Sequence, residues 1–443
     1  MSLADSNFRA PCADMVMCTF DRAKSKMKSR HGILSFSLTG IVPAVIALMS
    51  GCGSGYVSYT EAQSQSSAGE QSSLPIKIRH LSADSTAVIG GIKSEEIYFA
   101  PSPNHQGLRC EIECEVLIRE KTGTTIKATH QVLQMNRESL SLPFVAFRLV
   151  FPISYGEYEL EIKATDLNSK RIFRTVTKCT KDPANTGSET TVRLNNQWMA
   201  FPNCPVGSEL EVAMGSEVVN VTYFSQIPLP PAPFSAEKPS FPATWKSETT
   251  NSMDAQKGIA KVSVGLKGLF LFKSNEKPES VEMALATAPH FPEIRKIEEL
   301  ILSVRYIMTK AEFDEIISSK DVKKRLDSFW ISNAGSKEKA RSMIRTYYNR
   351  VITANKMFTC HKEGWQTDRG MIFIVLGPPV NIQSDATGET WAYPRSGLPG
   401  NDAFRFNRMQ LPYDDNYFEL KRSADFKPIW MANVESWRSG RTN

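Results

Sequence analysis

The chain has 443 residues, which leaves room for three or four domains of ordinary size. Its hydrophobic fraction of 41% is enough for real cores, which argues against a largely disordered chain. The formal net charge is +6, from 53 basic and 47 acidic side chains scattered along the sequence. Such a balance gives no electrostatic reason to expect nucleic acid as a partner.

The first predicted element is a signal peptide at residues 1–51. A basic stretch at 22–30 precedes an apolar segment at 33–49, and this order is typical of secretion signals. Leu48-Met49-Ser50-Gly51-Cys52 follows and resembles a bacterial lipobox, so Cys52 is predicted to become the acylated first residue of the mature protein. The alternative is a transmembrane helix, which Pro43 and several Ser and Gly residues weaken.

A leader of this length is unusual, so a translation start at Met27, or at Met17, is an alternative. Residues 52–73 are rich in Ser, Gln and Gly and are predicted to form a flexible tether. Acyl chains on Cys52 would anchor the protein to a bilayer, at about 0.8 kcal/mol per buried CH₂. No acidic residue directly follows Cys52, which resembles lipoproteins of the outer membrane and predicts that location, facing the periplasm.

Residues 74–183 are predicted to form a β-sandwich, because short alternating strands recur at even spacing. Gly156, Tyr158 and Asp166 form a pattern that resembles immunoglobulin-like envelope modules. The clearest predicted strands are 108–118, 145–151, 155–166 and 170–177.

Residues 184–289 are predicted to form a second sandwich, interrupted by the Pro-rich segment 227–233. We interpret that segment as a stiff, polyproline-like loop that links edge strands; a ligand for a proline-binding module is the alternative. Two sandwiches in tandem fit a spacer or a binding surface better than an enzyme core. The clearest predicted strands are 208–214, 217–224 and 259–272.

The period of the apolar residues then changes from two to that of a helix. Thr309 and Glu312 have the spacing of a capping box, which predicts a helix that runs through Ile317. Further apolar stripes at 322–330 and 344–358 predict a small helical layer packed on the terminal strands. The first stripe in this layer consists of Ile297, Leu300, Ile301, Val304 and Ile307.

A short apolar run at 371–376 is predicted to be a buried strand, because turn residues flank it. Asp368-Arg369-Gly370 before it has the residues of a tight turn, and Gly377-Pro378-Pro379 after it would end a strand. Aromatic-rich segments around Trp391, Phe404 and Tyr417 predict further strands of a small sheet that covers the helices.

This stretch also carries a family resemblance. Gly364-Trp365-x-Thr367-Asp368-Arg369-Gly370, the apolar run, Gly377-Pro378-Pro379 and Trp391-x-Tyr393 together resemble the GWxTD domain. That domain occurs in envelope proteins of Bacteroidota, Chlorobiota and Acidobacteriota. Phe329-Trp330 and the segment 347–351 fit its lead-in helices, whereas 331–336 lacks its acidic, Pro-containing link.

The resemblance covers about the last third of the chain and implies a C-terminal α+β domain at 290–443, without implying a particular activity. The predicted fold is therefore multidomain and mainly β, with two tandem immunoglobulin-like β-sandwiches, a small helical layer and this α+β GWxTD domain. The candidate ligand or motif residues are Gly364, Trp365, Thr367, Asp368, Arg369, Gly370, Gly377, Pro378 and Trp391.

Polar residues around the motif invite a catalytic interpretation. Cys360 and His361 are neighbours along the chain, but a nucleophile and its base must meet in space. The structural interpretation is that the glycines allow tight turns, Thr367 and Asp368 satisfy backbone donors, and Arg369 pairs with a carboxylate. A ligand pocket, if one exists, is expected around Trp365, Asp368 and Arg369.

No metal or cofactor is predicted, because no paired His or Cys spacing and no phosphate loop appear. Five cysteines follow Cys52, so they cannot all pair within one chain. Cys110 and Cys114 fall on the inward face of one predicted strand and are expected to be buried thiols. The other three are Cys179, Cys204 and Cys360.

These patterns predict a non-catalytic, lipid-anchored envelope protein that binds or scaffolds another envelope component, either a protein or a glycan. One alternative is an envelope hydrolase that uses the Asp368 region. Another is a periplasmic chaperone that binds clients through exposed strand edges.

Overall fold

The computed structural model describes residues 71–441, except 103–104, 121–122, 141–143, 188–189, 278 and 396–399. The predicted signal peptide, Cys52 and nearly all of the predicted tether lie outside the described residues. The described part is mainly β, with several sheets and a helical region near its C-terminal end. None of its helices is both long and apolar enough to cross a bilayer.

In the N-terminal unit, the described residues form nine strands: β1 (Gln71–Ser73), β2 (Ile76–Ser82), β3 (Ser85–Lys93), β4 (Ala100–Ser102), β5 (His105–Arg119), β6 (Thr125–Asn136), β7 (Phe144–Pro152), β8 (Gly156–Asp166) and β9 (Ile172–Lys181). One sheet has the order β1-β9-β8-β5-β4, with β6 also paired to β5, and the other has the order β2-β3-β7. Residues from both sheets share one hydrophobic core, which includes the thiols of Cys110 and Cys114. The four strands predicted here are confirmed as β5, β7, β8 and β9.

The second unit also has nine strands: β10 (Thr191–Leu194), β11 (Gln197–Trp198), β12 (Asn203–Pro205), β13 (Ser208–Ala213), β14 (Val218–Phe224), β15 (Thr249–Asp254), β16 (Ile259–Val264), β17 (Gly268–Ser274) and β18 (Val281–Thr287). They form a sheet of order β11-β10-β13-β16 and another of order β12-β18-β17-β14-β15. Side chains from both sheets again share a core.

The prediction of one strand over 259–272 is wrong, because the chain turns between β16 and β17 and continues in the other sheet. Gly268 opens β17 with φ +147°. A Cβ at this position would lie 2.3 Å from the carbonyl oxygen of Phe224, so only glycine fits this close approach. The apolar pattern runs through the turn because β17 is buried on both faces.

The five-stranded sheet β12-β18-β17-β14-β15 packs its second face on the C-terminal domain. Leu269, Leu271 and Met283 on this face lie in a hydrophobic cluster with Tyr413. Every residue of β18 is buried as a result. The second unit and the C-terminal domain therefore share a hydrophobic contact.

The C-terminal domain contains α1 (Ile297–Val304), α2 (Lys310–Ile317), α3 (Val322–Ala334), α4 (Lys337–Phe358), α5 (Asp368–Leu376), β19 (Asn381–Asp385), β20 (Gly388–Pro394), β21 (Asn401–Arg408), β22 (Phe418–Leu420) and α6 (Lys427–Arg438). The strands form one sheet in chain order, and the helices share a core with it. The predicted stripes are confirmed as helices, and the predicted capping box of Thr309 and Glu312 is present. Helix α6 was not predicted.

The prediction of a strand over 371–376 is wrong, because this run is the body of helix α5. Thr367 caps its N-terminus, and the residues predicted as a tight turn form its first turn instead. A short apolar helix that is buried on all sides shows no polar face. Its sequence therefore has the same uninterrupted apolar run as a buried strand.

Helices α2 and α6 are joined by an ion pair that should make stability depend on pH. The Arg438 guanidinium donates to Glu312 over 2.8 Å and holds the pKa of this carboxyl at about 2, below its ordinary 4.5. A lowered folded-state pKa stabilises the fold above pH 4.5, and this stabilisation is lost as the pH falls from 4.5 towards 2. Because the Glu312 side chain is 31% exposed, solvent screening limits the effect to about 1 kcal/mol.

We therefore expect Glu312→Gln to cost about 1 kcal/mol at pH 7 and about a quarter of that at pH 2.5. Urea unfolding of the wild type and the variant across this pH range measures the difference. Glu315→Gln removes an exposed carboxylate from the same helix and is the matched control. A cost that does not change with pH would contradict the assignment.

Candidate functional site

The GWxTD motif forms a short, mostly buried connection between helices α4 and α5. Residues Gly364–Gln366 make one turn of 3-10 helix, after which Thr367 caps α5. The Thr367 hydroxyl accepts a hydrogen bond from the backbone N–H of Gly370 at 3.0 Å and donates to the carbonyl of Gly364 at 2.7 Å. Thr367 thus closes the turn and starts the helix with one side chain.

Two glycines let this connection pack directly on backbone. A Cβ at Gly364 would lie 1.8 Å from the carbonyl oxygen of Ala354 in α4, and a Cβ at Gly370 would lie 1.9 Å from the carbonyl oxygen of Gly364. Both distances are far below van der Waals contact, and the obstructing atoms are backbone. The sequence predicts that these glycines allow tight turns, whereas in the structure they allow close approach to backbone.

Trp365 is 5% exposed and is fixed at three points. Its backbone N–H donates to the Asn355 side chain at 3.1 Å, and its ring N–H donates to the carboxylate of Glu363 at 2.8 Å. Its carbonyl accepts a hydrogen bond from the Tyr306 hydroxyl at 2.8 Å. The backbone of Trp365 therefore joins α4 to the turn that follows α1, and its ring is part of the core.

Asp368 is completely buried in the first turn of α5. Its carboxylate accepts the backbone N–H of Leu420 at 2.9 Å and forms an ion pair with both terminal nitrogens of Arg422. Burial raises the pKa of Asp368, while Arg422 and the Leu420 N–H oppose this shift. The carboxylate thereby ties α5 to β22 and the segment that follows it.

Arg369 points from the same turn towards the terminal sheet. Its guanidinium lies 3.4 Å from the carboxylate of Glu389, donates to the carbonyl of Asn416 at 3.2 Å, and sits 3.8 Å above the ring of Phe418. Glu389 in turn accepts the ring N–H of Trp391 at 3.0 Å. The predicted pairing of Arg369 with a carboxylate is confirmed, with Glu389 as the partner.

The remaining motif residues end α5 and cover it. Gly377 ends the helix with φ +91°, a conformation that favours glycine, and its carbonyl accepts the Tyr393 hydroxyl at 2.8 Å. Pro378 is half-buried. Trp391 is fully buried, with its ring centroid 5.5 Å from that of Phe358. All nine candidate residues therefore lie in α5 or next to it.

A second cluster of polar groups lies directly before the motif, and sequence reasoning missed one of its members. Cys360 and His361 are completely buried beside Asp414, and one ligand atom from each residue lies within 4.8 Å of the others. The His361 ring Nδ1 lies 2.8 Å from the Asp414 carboxylate, and the His361 backbone N–H donates to the same oxygen at 2.9 Å. Asp414 is more than fifty residues away along the chain, so no local pattern could have indicated it.

Burial controls the titration of this cluster. It raises the pKa of the Cys360 thiol far above the ordinary value and lowers the pKa of the His361 ring. Burial also acts to raise the pKa of Asp414, but the hydrogen bonds from His361 outweigh it and hold this pKa below its ordinary value. Cys360 is thus a neutral thiol and not a prepared nucleophile.

The Pro-rich segment packs over these residues. We call residues 225–248, which connect β14 to β15, the strap. Its backbone carbonyls accept hydrogen bonds from the C-terminal domain: Pro228 from the Lys362 ammonium at 3.2 Å and Pro231 from Arg422 at 3.1 Å. The ring centroid of Trp245 in the strap lies 6.1 Å from that of His361. The strap contains the loop predicted at 227–233, and its Leu229 and Phe234 pack against the core of the C-terminal domain.

A cleft of about 1210 Å³ opens where the N-terminal unit, the second unit and the C-terminal domain meet. Lys93 and Glu95 line one side, the segment 288–295 another, and Lys356 of α4 a third. Of the three residues expected around a pocket, Arg369 lines this cleft, whereas Trp365 and Asp368 are covered by other side chains.

Arg408 also lines the cleft and forms no ion pair with a carboxylate of the described residues. Its guanidinium donates to the carbonyl of Asp415 at 3.0 Å and lies 4.5 Å above the ring of Phe418. Among the residues that the structure describes, its Nε finds no hydrogen-bond partner. Burial lowers the pKa of Arg408 to about 10, because its charged form is partly removed from water.

Comparisons with known proteins identify the C-terminal part of the chain. Residues 268–439 match the family model of the GWxTD domain. The search among curated proteins gave no match.

Solved structures show only weak likeness. A β-glucuronidase of Bacteroides uniformis is 14% identical over 31% of this chain and 14% of that chain, with a TM-score of 0.18. The α-2-macroglobulin of E. coli in its native conformation is 9% identical over 49% of this chain and 16% of that chain, with a TM-score of 0.16. The matches thus span a small part of those proteins and support no statement about fold or activity. The family match, which includes every motif residue described above, shows instead that this chain is a GWxTD domain-containing protein, with the domain at residues 268–439.

Proposed function

We propose that this protein is a non-catalytic, lipid-anchored envelope protein that binds another envelope component, a protein or a glycan, in the cleft between its three units. The observation that carries the proposal is the cleft itself. Residues of all three parts contribute to its walls, and the partly buried guanidinium of Arg408 lines it with no carboxylate within ion-pair distance among the described residues.

The chemistry of the motif favours binding over catalysis. A hydrolase needs at least one polar group that is free to meet a substrate. Asp368 is completely buried and engaged by Arg422 and the Leu420 N–H, so its carboxylate serves the fold. The Cys360 thiol is also completely buried, and burial raises its pKa further from the reactive thiolate.

The charges that line the cleft indicate an anionic ligand group. Three of the four glutamates in its lining are already paired with basic side chains: Glu95 with Lys356, Glu96 with Arg171, and Glu293 with Arg295. Arg408 has no such pair in the described part of the chain. A carboxylate on the ligand would satisfy its guanidinium in a charge-assisted hydrogen bond.

The rest of the chain fits a module held away from a membrane. In this proposal, acylated Cys52 anchors the protein in the outer membrane, with the folded part in the periplasm. The two N-terminal units are immunoglobulin-like sandwiches that act as spacers and complete the cleft. The support is the sequence pattern before residue 74 together with the paired sheets of each unit.

Site-specific crosslinking tests the binding site. A photo-reactive amino acid replaces the cleft residue Lys356, or Met431 on α6, which is 50% exposed outside the cleft. In intact envelopes, we expect one discrete adduct from position 356 and none from 431. Losing a charged hydrogen bond costs about 1.5–3 kcal/mol, so Arg408→Gln should reduce the adduct by about tenfold or more.

Arg395→Gln is the matched control, because Arg395 is exposed and pairs with Asp402 on the terminal sheet. The adduct should persist in this variant. Recovery of only abundant bystander proteins, or equal yields from all variants, would show that the cleft is not the binding site.

Metabolic labelling tests the anchor. Labelled palmitate should appear on the wild-type protein, and Cys52→Ala should lose both the label and the membrane association, because the acyl chains supply the binding energy. Cys204→Ala removes a buried thiol of the second unit and should keep the label. A free thiol at Cys52 in the purified protein would contradict the anchor.

A further inference from the structure

We propose that Cys360, His361 and Asp414 form a buried metal site that takes Zn²⁺ or a chemically similar divalent ion. Their ligand atoms lie within 4.8 Å of one another, and all three residues are buried. The proposed binding function does not depend on this site, and the site does not depend on that function.

The donor set is the first argument. A thiol, an imidazole and a carboxylate are the side chains that bind zinc in proteins, and calcium or magnesium would not select a sulfur ligand. Around one tetrahedral zinc ion, such ligand atoms lie about 3.3–3.6 Å apart, as follows from metal–ligand bonds of about 2.0–2.3 Å. A set confined within 4.8 Å would have to contract by up to about 1.5 Å to reach that geometry.

The second argument is the state of the imidazole. His361 Nδ1 is held by Asp414, but Nε2 is buried and has no hydrogen-bond partner in the described part of the chain. Buried polar atoms are nearly always satisfied, and an exception calls for an unseen ion or water. Because Nε2 lies across the ring from Asp414, an ion shared with the Asp414 carboxylate would take Nδ1 in place of the present hydrogen bond, and the free Nε2 shows only that the ring is not fully satisfied.

The surroundings fit a closed, structural site. The rings of Trp245, Tyr413 and Tyr417 all lie near the His361 ring, with centroids 4.8–6.1 Å away. The neighbouring Lys362 ammonium is occupied by the carbonyl of Pro228 in the strap. The site is closed to solvent, as structural zinc sites are, but its three protein ligands would leave one tetrahedral position for a water. A bound ion would stiffen the contact between the strap and the C-terminal domain.

Cobalt is the probe that reports the thiolate directly. The full chain, purified in detergent and stripped with a chelator, is titrated with Co²⁺, and its near-ultraviolet thiolate-to-cobalt band is recorded. We expect the band to saturate at about one ion per chain and Zn²⁺ to displace it. Cys360→Ser should abolish the band, and Asp414→Asn should weaken binding about 10- to 100-fold.

Cys114→Ser removes another buried thiol and should leave the band unchanged, as should Asp327→Asn, which changes an exposed carboxylate on α3. The absence of a cobalt band in the wild type, or a band that survives Cys360→Ser, would overturn the proposal.

Alkylation of the wild type keeps the test decisive if Cys360→Ser fails to fold. In moderate urea, Zn²⁺ should slow the alkylation of Cys360 at least tenfold and leave that of Cys114 unchanged, as mapped by mass spectrometry. Equal rates with and without Zn²⁺ would overturn the proposal.

Discussion

Replacing Gly370 by alanine should lower the free energy of unfolding of the C-terminal domain by more than about 3 kcal/mol, because the added Cβ would meet the carbonyl oxygen of Gly364 at 1.9 Å. Backbone cannot rotate away as a flexible side chain can. The turn and the first turn of α5 would have to separate, which would also break the cap made by Thr367. Gly364→Ala should act in the same way against Ala354.

Tryptophan fluorescence during urea unfolding measures this effect, since five of the seven tryptophans lie within residues 268–439. Gly265→Ala is the matched control, because a Cβ there would have no atom within 4 Å. Its effect should stay within about 0.5 kcal/mol. Similar unfolding midpoints for Gly370→Ala and Gly265→Ala would contradict the close approach described for the motif.

Asp368→Ala should cost about 3–5 kcal/mol, because it leaves the positive charge of Arg422 and the backbone N–H of Leu420 without their buried partner. Asp368→Asn keeps an acceptor for the N–H and should cost less. The same urea experiment measures both variants. Any loosening of the strap adds to the measured cost, because the Pro231 carbonyl of the strap also accepts a hydrogen bond from Arg422.

Asp327→Ala is the control within the same domain. Asp327 forms an exposed ion pair with Lys323 one turn away on α3, so its loss should cost about 0.3–0.5 kcal/mol. Equal costs for the two alanine variants would show that Asp368 is not a buried structural charge. A loss of function in Asp368→Ala would reveal nothing about catalysis unless the variant is first shown to be folded.

The sequence predicts the helices of the C-terminal domain well because their apolar stripes are long and periodic. Thr309 and Glu312 add a local cap, so even the start of α2 could be placed. Helix α5 could not be recognised in this way. Its first turn contains Asp368 and Gly370, residue types that also favour tight turns, and its body is buried on every side.

The candidate site was predicted only in part, for a related reason. The sequence indicates the motif, and it correctly indicates that Arg369 pairs with a carboxylate. It cannot indicate that this partner is Glu389 or that Asp414 reaches His361, because both contacts depend on how the terminal sheet folds over α5. Strap docking depends on tertiary structure too, since proline carbonyls bind whichever donors the fold brings near.

Strands β17 and β18 belong to two architectures at once. They belong to the five-stranded sheet of the second unit, and their outer face packs against the C-terminal domain. The family match starts at the first residue of β17, so the matched region includes both strands and their outer face. Cutting the chain at residue 290 would separate Leu269 and Met283 from Tyr413 and would expose an apolar surface on both fragments.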